Sequence, residues 1–294
     1  MSTFLLCPAF FLRAILPFLR YDIAVRKVVT AIMALYQRAL YYTVSDGSKI
    51  YCMETGNPRG FPVVLLHGNA MDGSYFQSAV KILTSPYRSS RQNQDPSHCR
   101  YLLIDSREHG KSISGRSGTK ASPKLNFVLM AQDLEDVLQQ LEIKKCILAG
   151  HSDGANLAMV YASRYPARVG GLLLNSGNLN VRDLKWYVRA AIHARYTALC
   201  ALSILFHPCR RMAAVTGLML HDLPVTKAQL AGIDVPVWVL TGEHDIIGRA
   251  ATEQLAQLFP RCRLIIHKNT GHDLPIQDPA FFAGLIQHLV REIA

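Results

Sequence analysis

The stretch Lys145–Tyr165, KCILAGHSDGANLAMVYASRY, constrains this chain more than any other. Cys146–Ala149 is a short apolar run of the kind that forms a buried strand, and an amphipathic run from Ala155 onward predicts a helix. Between them lies Gly150-His151-Ser152-Asp153-Gly154, a G-x-S-x-G. A strand that turns sharply into a helix around a serine is a way to aim a nucleophile. The turn strains the backbone of the serine and crowds its neighbours, so Gly150 and Gly154 stand where bulk is least tolerated. The pattern by itself is weak; the strand before it and the helix after it give it weight.

The same alternation runs through the chain from Leu40 onward. Tyr41–Val44 and Lys49–Glu54 flank Ser45-Asp46-Gly47, a hairpin signal. Val63–Leu66, Tyr101–Ile104, Val169–Leu174, Val237–Leu240 and Arg263–Ile266 read as strands, with helices at about 74–83, 125–141, 250–259 and 279–292. Residues 85–100 form a polar loop, and 178–232 break the rhythm with mostly helical sequence. Strands alternating with helices predict an α/β fold, a mainly parallel sheet with helices on both faces. Ligand sites in such sheets lie beyond the carboxyl ends of the strands.

Composition supports a folded chain. Of 294 residues, 50% are hydrophobic and only 18% charged, which excludes a disordered protein. The seven cysteines are scattered without a C-x-x-C, an odd number that points to reduced thiols and a cytoplasmic location. Cys146 and Cys262 fall in expected buried strands, where a thiol acts as a small hydrophobe. Most of the net charge of +11 is concentrated in residues 1–60 and 181–230. That serves solubility, or else a basic face toward an anionic membrane or substrate. No motif supports nucleic-acid binding.

Residues 1–39 stand apart. The apolar run 3–19 is interrupted by Pro8, Arg13 and Pro17, which argues against a signal peptide or a clean membrane span. Between Asp22 and Leu40 apolar residues recur at helical spacing among Arg26, Lys27 and Arg38. The expectation is an N-terminal helical extension packed on the domain; the alternative is an in-plane anchor giving peripheral membrane contact through residues 1–40.

A serine needs a base to become a good nucleophile, and the base needs an orienting acid. Among eleven histidines, His272 combines three features: it follows the last strand, stands after Gly271, and lies in a loop at the carboxyl edge. His267, closing that strand, is the nearest rival. For the acid, the segment after Val169–Leu174 offers nothing before Asp183, whereas the segment after Val237–Leu240 offers Asp245, with Glu243 as the fallback. The chain order is then Ser152, Asp245, His272.

Five motifs in this order carry a resemblance: His67-Gly68, Asp105-x-Arg107 with Gly110-x-Ser112, the Gly150–Gly154 turn, Thr241-Gly242-x-x-Asp245, and Gly271-His272. From about Leu40 to the C-terminus the chain resembles an α/β-hydrolase of the serine esterase and lipase-like group. That resemblance implies the α/β-hydrolase fold over residues 40–294, with a helical cap at about 178–232. It implies an oxyanion hole made by the backbone N–H groups of Asn69 and Asp153. It also implies a carboxylic-ester substrate, here with a hydrophobic acyl group given the apolar cap and N-terminus. Thioester or C–C hydrolysis would use the same triad, and a non-catalytic scaffold is the alternative of another class. Ser152 argues against the family branches that use aspartate at this position for dehalogenation or epoxide opening. No cofactor and no metal is expected, because metal-ligand clusters and phosphate-binding glycine loops are missing from the sequence. Asp153 departs from the family pattern, where an apolar residue is common. Its carboxylate would oppose an adjacent oxyanion unless turned away or paired; the expectation is that it turns from the pocket and caps the following helix.

Overall fold

The computed structural model describes residues 37–85, 99–115 and 124–293. Eight strands form one sheet in the order β1-β2-β4-β3-β5-β6-β7-β8. They are β1 (Gln37–Thr43), β2 (Lys49–Gly56), β3 (Phe61–Leu66), β4 (Cys99–Ile104), β5 (Cys146–His151), β6 (Val169–Asn175), β7 (Val237–Gly242) and β8 (Cys262–His267). Only β2 runs against its neighbours; the pairings from β4 to β8 are all parallel. β1 begins at Gln37, so the sheet starts ahead of the expected domain start at Leu40; the rest of the expected helical extension lies outside the described residues.

Helices cover both faces because successive strand residues point to opposite sides. On one face Val64, Leu148 and Leu172 pack under Leu134 and Val137 of α2 (Phe127–Gln140) and Leu157 of α3 (Asp153–Arg164). On the other, Val63, Leu65, Ile147 and Leu173 meet Ala79 of α1 (Gln77–Leu83) together with Phe76, while Phe282 and Ile286 come from α9 (Pro279–Ile293). β5, β6 and β7 are buried along their whole length. Continuous apolar runs such as Cys146–Ala149 are what two-sided burial requires.

The edge strand β8 differs. Leu264 is exposed and Cys262 is only partly buried, so the expectation of a buried thiol there fails. An edge strand has a neighbour on one side only, and here no helix covers all of it.

Local signals place the helices well. Asn126 caps α2 by accepting the Leu129 N–H at 2.9 Å. The expected helix at 74–83 splits into a 3-10 turn, Gly73–Phe76, followed by α1. Residues 178–232 are mostly helical: α4 (Trp186–Leu202), α5 (Pro208–Gly217) and α6 (Lys227–Ala231). They are followed by β7, α7 (Arg249–Ala256), β8 and the short α8 (Leu274–Gln277), which sequence periodicity did not reveal. Among the described residues no helix is long and apolar enough to cross a membrane.

Candidate active site

Ser152 sits between β5 and α3 with φ 53° and ψ −120°, a conformation that costs an L-residue energy and persists only under constraint. The constraint is visible on both sides. A Cβ on Gly150 would stand 2.3 Å from the Gly154 carbonyl oxygen, and one on Gly154 would stand 1.9 Å from that of Leu66. Both contacts are with backbone, which cannot yield. The Ser152 N–H donates to the Asn175 carbonyl at 2.8 Å, tying the turn to β6.

The loop after β8 brings His272 over this serine. Its Nε2 lies 3.1 Å from Ser152 Oγ, and its Nδ1 lies 2.8 Å from Asp245 Oδ1. The acceptor-only carboxylate of Asp245 places the proton on Nδ1 and leaves Nε2 to accept from the serine hydroxyl. Asp245 is buried at the end of β7. Burial pushes its pKa up, but the His272 hydrogen bond and charge, with the Ile247 N–H and Ser176 hydroxyl, outweigh it and hold the group at about 2. Ser176 Oγ donates to Oδ2 at 2.5 Å and Thr241 Oγ1 at 3.0 Å. Thr241 opens the Thr241-Gly242-x-x-Asp245 motif, whereas Ser176 is a functional neighbour that sequence reasoning passed over; its only signal was position, as a polar residue just beyond the carboxyl end of β6.

The rival residues lie elsewhere. His267 stacks on Phe281 with ring centroids 4.0 Å apart and approaches Asp278 at 3.2 Å. Glu243 is exposed and accepts the Asn269 N–H. Two other motif residues are structural. Arg107 joins Asp133 of α2 at 2.7 Å to Asp46 of the β1–β2 turn at 2.6 Å. His67 Nε2 accepts the Ser106 N–H at 3.0 Å, so its proton sits on Nδ1 and donates to the Gly68 carbonyl. Burial holds His67 down at about 4, a neutral strut.

His151 is also buried and held down at about 4, chiefly by burial. It accepts the Asn175 amide at Nδ1 and stacks on Tyr75 at 4.7 Å, forming a neutral wall 4.8 Å from the His272 ring.

Asp153 corrects an expectation. Its side chain does not cap α3 but lines the cavity beside Ser152. It is paired instead: Oδ2 accepts the Asn69 amide at 2.8 Å and Oδ1 the Asn156 amide at 3.4 Å. Burial is the dominant influence and pushes the carboxyl up to about 6, against the pull of these two amides. The same Asn69 Nδ2 donates to the Val215 carbonyl of α5 at 2.7 Å, so one amide links the serine turn to the helices above it. The position of Asn69, after β3, brings it beside Asp153, the first residue of α3, whose backbone N–H has no acceptor within the helix.

A cavity of about 220 Å³ opens over Ser152 and His272. Its roof comes from 178–223, with Leu184, Val188, Ile192 and Leu218 among the apolar walls, and Asn69, Asp153 and Asn156 form a polar patch at the floor. Among the described residues no group of His, Cys, Asp and Glu is arranged to hold a metal ion.

The profile of the alpha/beta hydrolase family matches residues 63–285, which carry every motif of the site. The chain belongs to that family. A Bacillus subtilis (strain 168) protein provisionally named 2-succinyl-6-hydroxy-2,4-cyclohexadiene-1-carboxylate synthase is 24% identical over 85% of this chain and 98% of its own length. A proline iminopeptidase of Neisseria meningitidis (serogroup A, strain DSM 15465 / Z2491) is 36% identical, but over only 46% of this chain and 38% of its own. Among solved structures, a thermophilic esterase from Thermogutta terrifontis superposes with a TM-score of 0.67 at 19% identity, covering 87% of this chain and 99% of the esterase. At that identity the likeness speaks for the fold.

Proposed function

We propose that this α/β-hydrolase family member cleaves carboxylic esters through an acyl-enzyme on Ser152. The observation that carries the reading is the unbroken hydrogen-bond chain from Ser152 Oγ through His272 to Asp245 at the floor of a cavity. In this reading Ser152 Oγ attacks the ester carbonyl carbon as its proton passes to His272 Nε2. The charge on the carbonyl oxygen meets the backbone N–H groups of Asn69 and Asp153; one such donor is typically worth about 3–4 kcal/mol. Asp245, held ionised, stabilises the imidazolium. The C–O bond breaks, His272 returns the proton to the departing alcohol, and water, deprotonated in turn by His272, releases the acid and restores Ser152. The apolar walls Leu184, Val188 and Ile192 favour a hydrophobic acyl group.

A fluorophosphonate probe tests the nucleophile: it should label the wild type and leave Ser152→Ala unlabelled, and label retained by the variant would move the chemistry to another serine. A p-nitrophenyl ester series of rising chain length, run beside acyl thioesters and aminoacyl arylamides, tests the substrate class. Preference for a medium or long acyl ester is the expected result; faster turnover of the arylamide would favour a peptidase. The proposal includes peripheral membrane contact through residues 1–40. Removing residues 1–36, which leaves β1 whole, should then lower the membrane-bound fraction in cells, and an unchanged fraction would discard that part.

A further inference from the structure

The segment from Leu184 to His221 contains Lys185, Arg189, Arg195, Arg210 and Arg211 and not one aspartate or glutamate. Its far end is apolar. Where α4 turns into α5, Ile204 is 79% exposed, Leu205 80% and Phe206 58%, with Leu202 and Met212 at 46% each. This turn is held by its own hydrogen bonds. The Ser203 N–H donates to the Leu199 carbonyl at 2.9 Å, Phe206 N–H to Leu202 at 2.8 Å, and Arg210 Nε to the Ser203 carbonyl at 3.3 Å. The two helices pack against one another, and Arg211 of α5 reaches the Glu108 and Gly110 carbonyls at 2.9 and 3.1 Å. Large apolar side chains are thus presented to water on a firm support, a sign of a contact surface.

We propose that this tip docks onto an anionic lipid surface, with Leu202, Ile204, Leu205 and Phe206 entering the interface while Arg210 meets the headgroup phosphates. Charge selects this occupant. A second copy would bring the same positive, acid-free segment against the first. The chain's own residues 1–36 carry Arg13, Arg20, Arg26 and Lys27 against Asp22 alone, so they are positive as well. Among the described residues Arg211 has the Glu108 carboxylate at 3.8 Å, whereas no acidic partner of Arg210 is seen, and an anionic bilayer offers an apolar interior for the tip and negative charge for Arg210. The arrangement bears on the cavity. Arg195, which lines it, lies on the same helix as Leu202, about 10 Å back along the axis at 1.5 Å per residue. An apolar substrate leaving the bilayer would have a short path to Ser152. The docking itself does not depend on the ester chemistry.

Co-sedimentation of the full-length protein with vesicles tests it. Wild type should pellet with phosphatidylcholine vesicles containing phosphatidylserine, pellet weakly with phosphatidylcholine alone, and be released by added salt. Changing Ile204→Asp and Leu205→Asp together should weaken binding to the mixed vesicles about tenfold or more, with an unchanged thermal midpoint and unchanged hydrolysis of a short soluble ester. Leu205→Asp alone should give a smaller loss in the same direction. Equal binding by wild type and both variants would overturn the proposal and leave the contact to residues 1–40. Equal binding to the two vesicle types would remove the electrostatic part and overturn it as well. So would a wild-type dimer, seen by sedimentation velocity and lost in the double variant, without vesicle binding.

Discussion

Two buried carboxylates stand close to Ser152 and His272, one at the end of the sheet and one where the serine turn meets the helices above it. Asp245 is held at about 2, whereas Asp153 is pushed up to about 6. Burial raises both, so burial does not distinguish them. What differs is company. Asp245 faces a histidine that can carry charge, two hydroxyl donors and a backbone N–H. Asp153 has two side-chain amides, one of them at a long 3.4 Å. The loop at the carboxyl end of β7 is therefore built to keep a negative charge, and the serine turn to hold a carboxyl that gives its charge up easily. That suits the proposed mechanism, in which negative charge would develop next to Asp153.

The largest effect should come from Asp245→Asn. The amide cannot stabilise an imidazolium and favours the wrong tautomer, so kcat should fall by about 10³–10⁴ with little change in KM. A loss under tenfold would refute the assignment of the acid, and Glu243→Gln, expected to leave kcat unchanged, is the control.

Asp153→Asn separates the second carboxylate from the first through pH. A raised pKa means that the folded state binds a proton the unfolded chain has released between about pH 4 and 6. Wild-type stability from this group is thus present below that window and lost as pH rises through about 6. The variant escapes the loss, so relative to wild type it should gain on the order of 2 kcal/mol between pH 4 and pH 8. Urea unfolding at the two pH values measures this. The same difference at both would mean that folding does not raise the Asp153 pKa.

Asn69→Ala removes the donor to Asp153 and the tie to Val215 while keeping the backbone N–H. A loss of about 1–2 kcal/mol in unfolding free energy is expected, together with a further rise in the Asp153 pKa, followed by carbon-detected NMR of its carboxyl. An unmoved pKa would show that Asn69 does not support the group. Ser176→Ala should have the smallest effect. Thr241 and the Ile247 N–H still serve Asp245, so kcat should drop by no more than about tenfold. A drop as large as that of Asp245→Asn would mean that Thr241 and the Ile247 N–H cannot hold Asp245 in place without Ser176.

Sequence reading went furthest where one residue's surroundings are local or periodic. The strands at Val63–Leu66 and Val169–Leu174 were legible because two-sided burial demands unbroken apolar runs. Gly150 and Gly154 were legible because a sharp turn excludes a Cβ. His272 and Asp245 could be found because the carboxyl edge of a parallel sheet gathers functional groups. Cys262 was misjudged because an apolar run does not say whether its strand is central or at the edge. Asp153 was misjudged for a similar reason. A side chain in the first turn of a helix can bond to its own backbone or to a distant partner, and sequence shows only the first choice.

The chain's own order of residues determined the alternating α/β architecture, the strained serine turn and the order Ser152, Asp245, His272, since each follows from local geometry and topology. Only the tertiary structure decided the ionisation of the two carboxylates and the exposure of Ile204, Leu205 and Phe206. Asp153 meets Asn69 across 84 positions of sequence, and Asp245 meets Ser176 across 69. A pKa or an uncovered apolar surface is a property of everything that surrounds a group, and that exists only once the chain has folded.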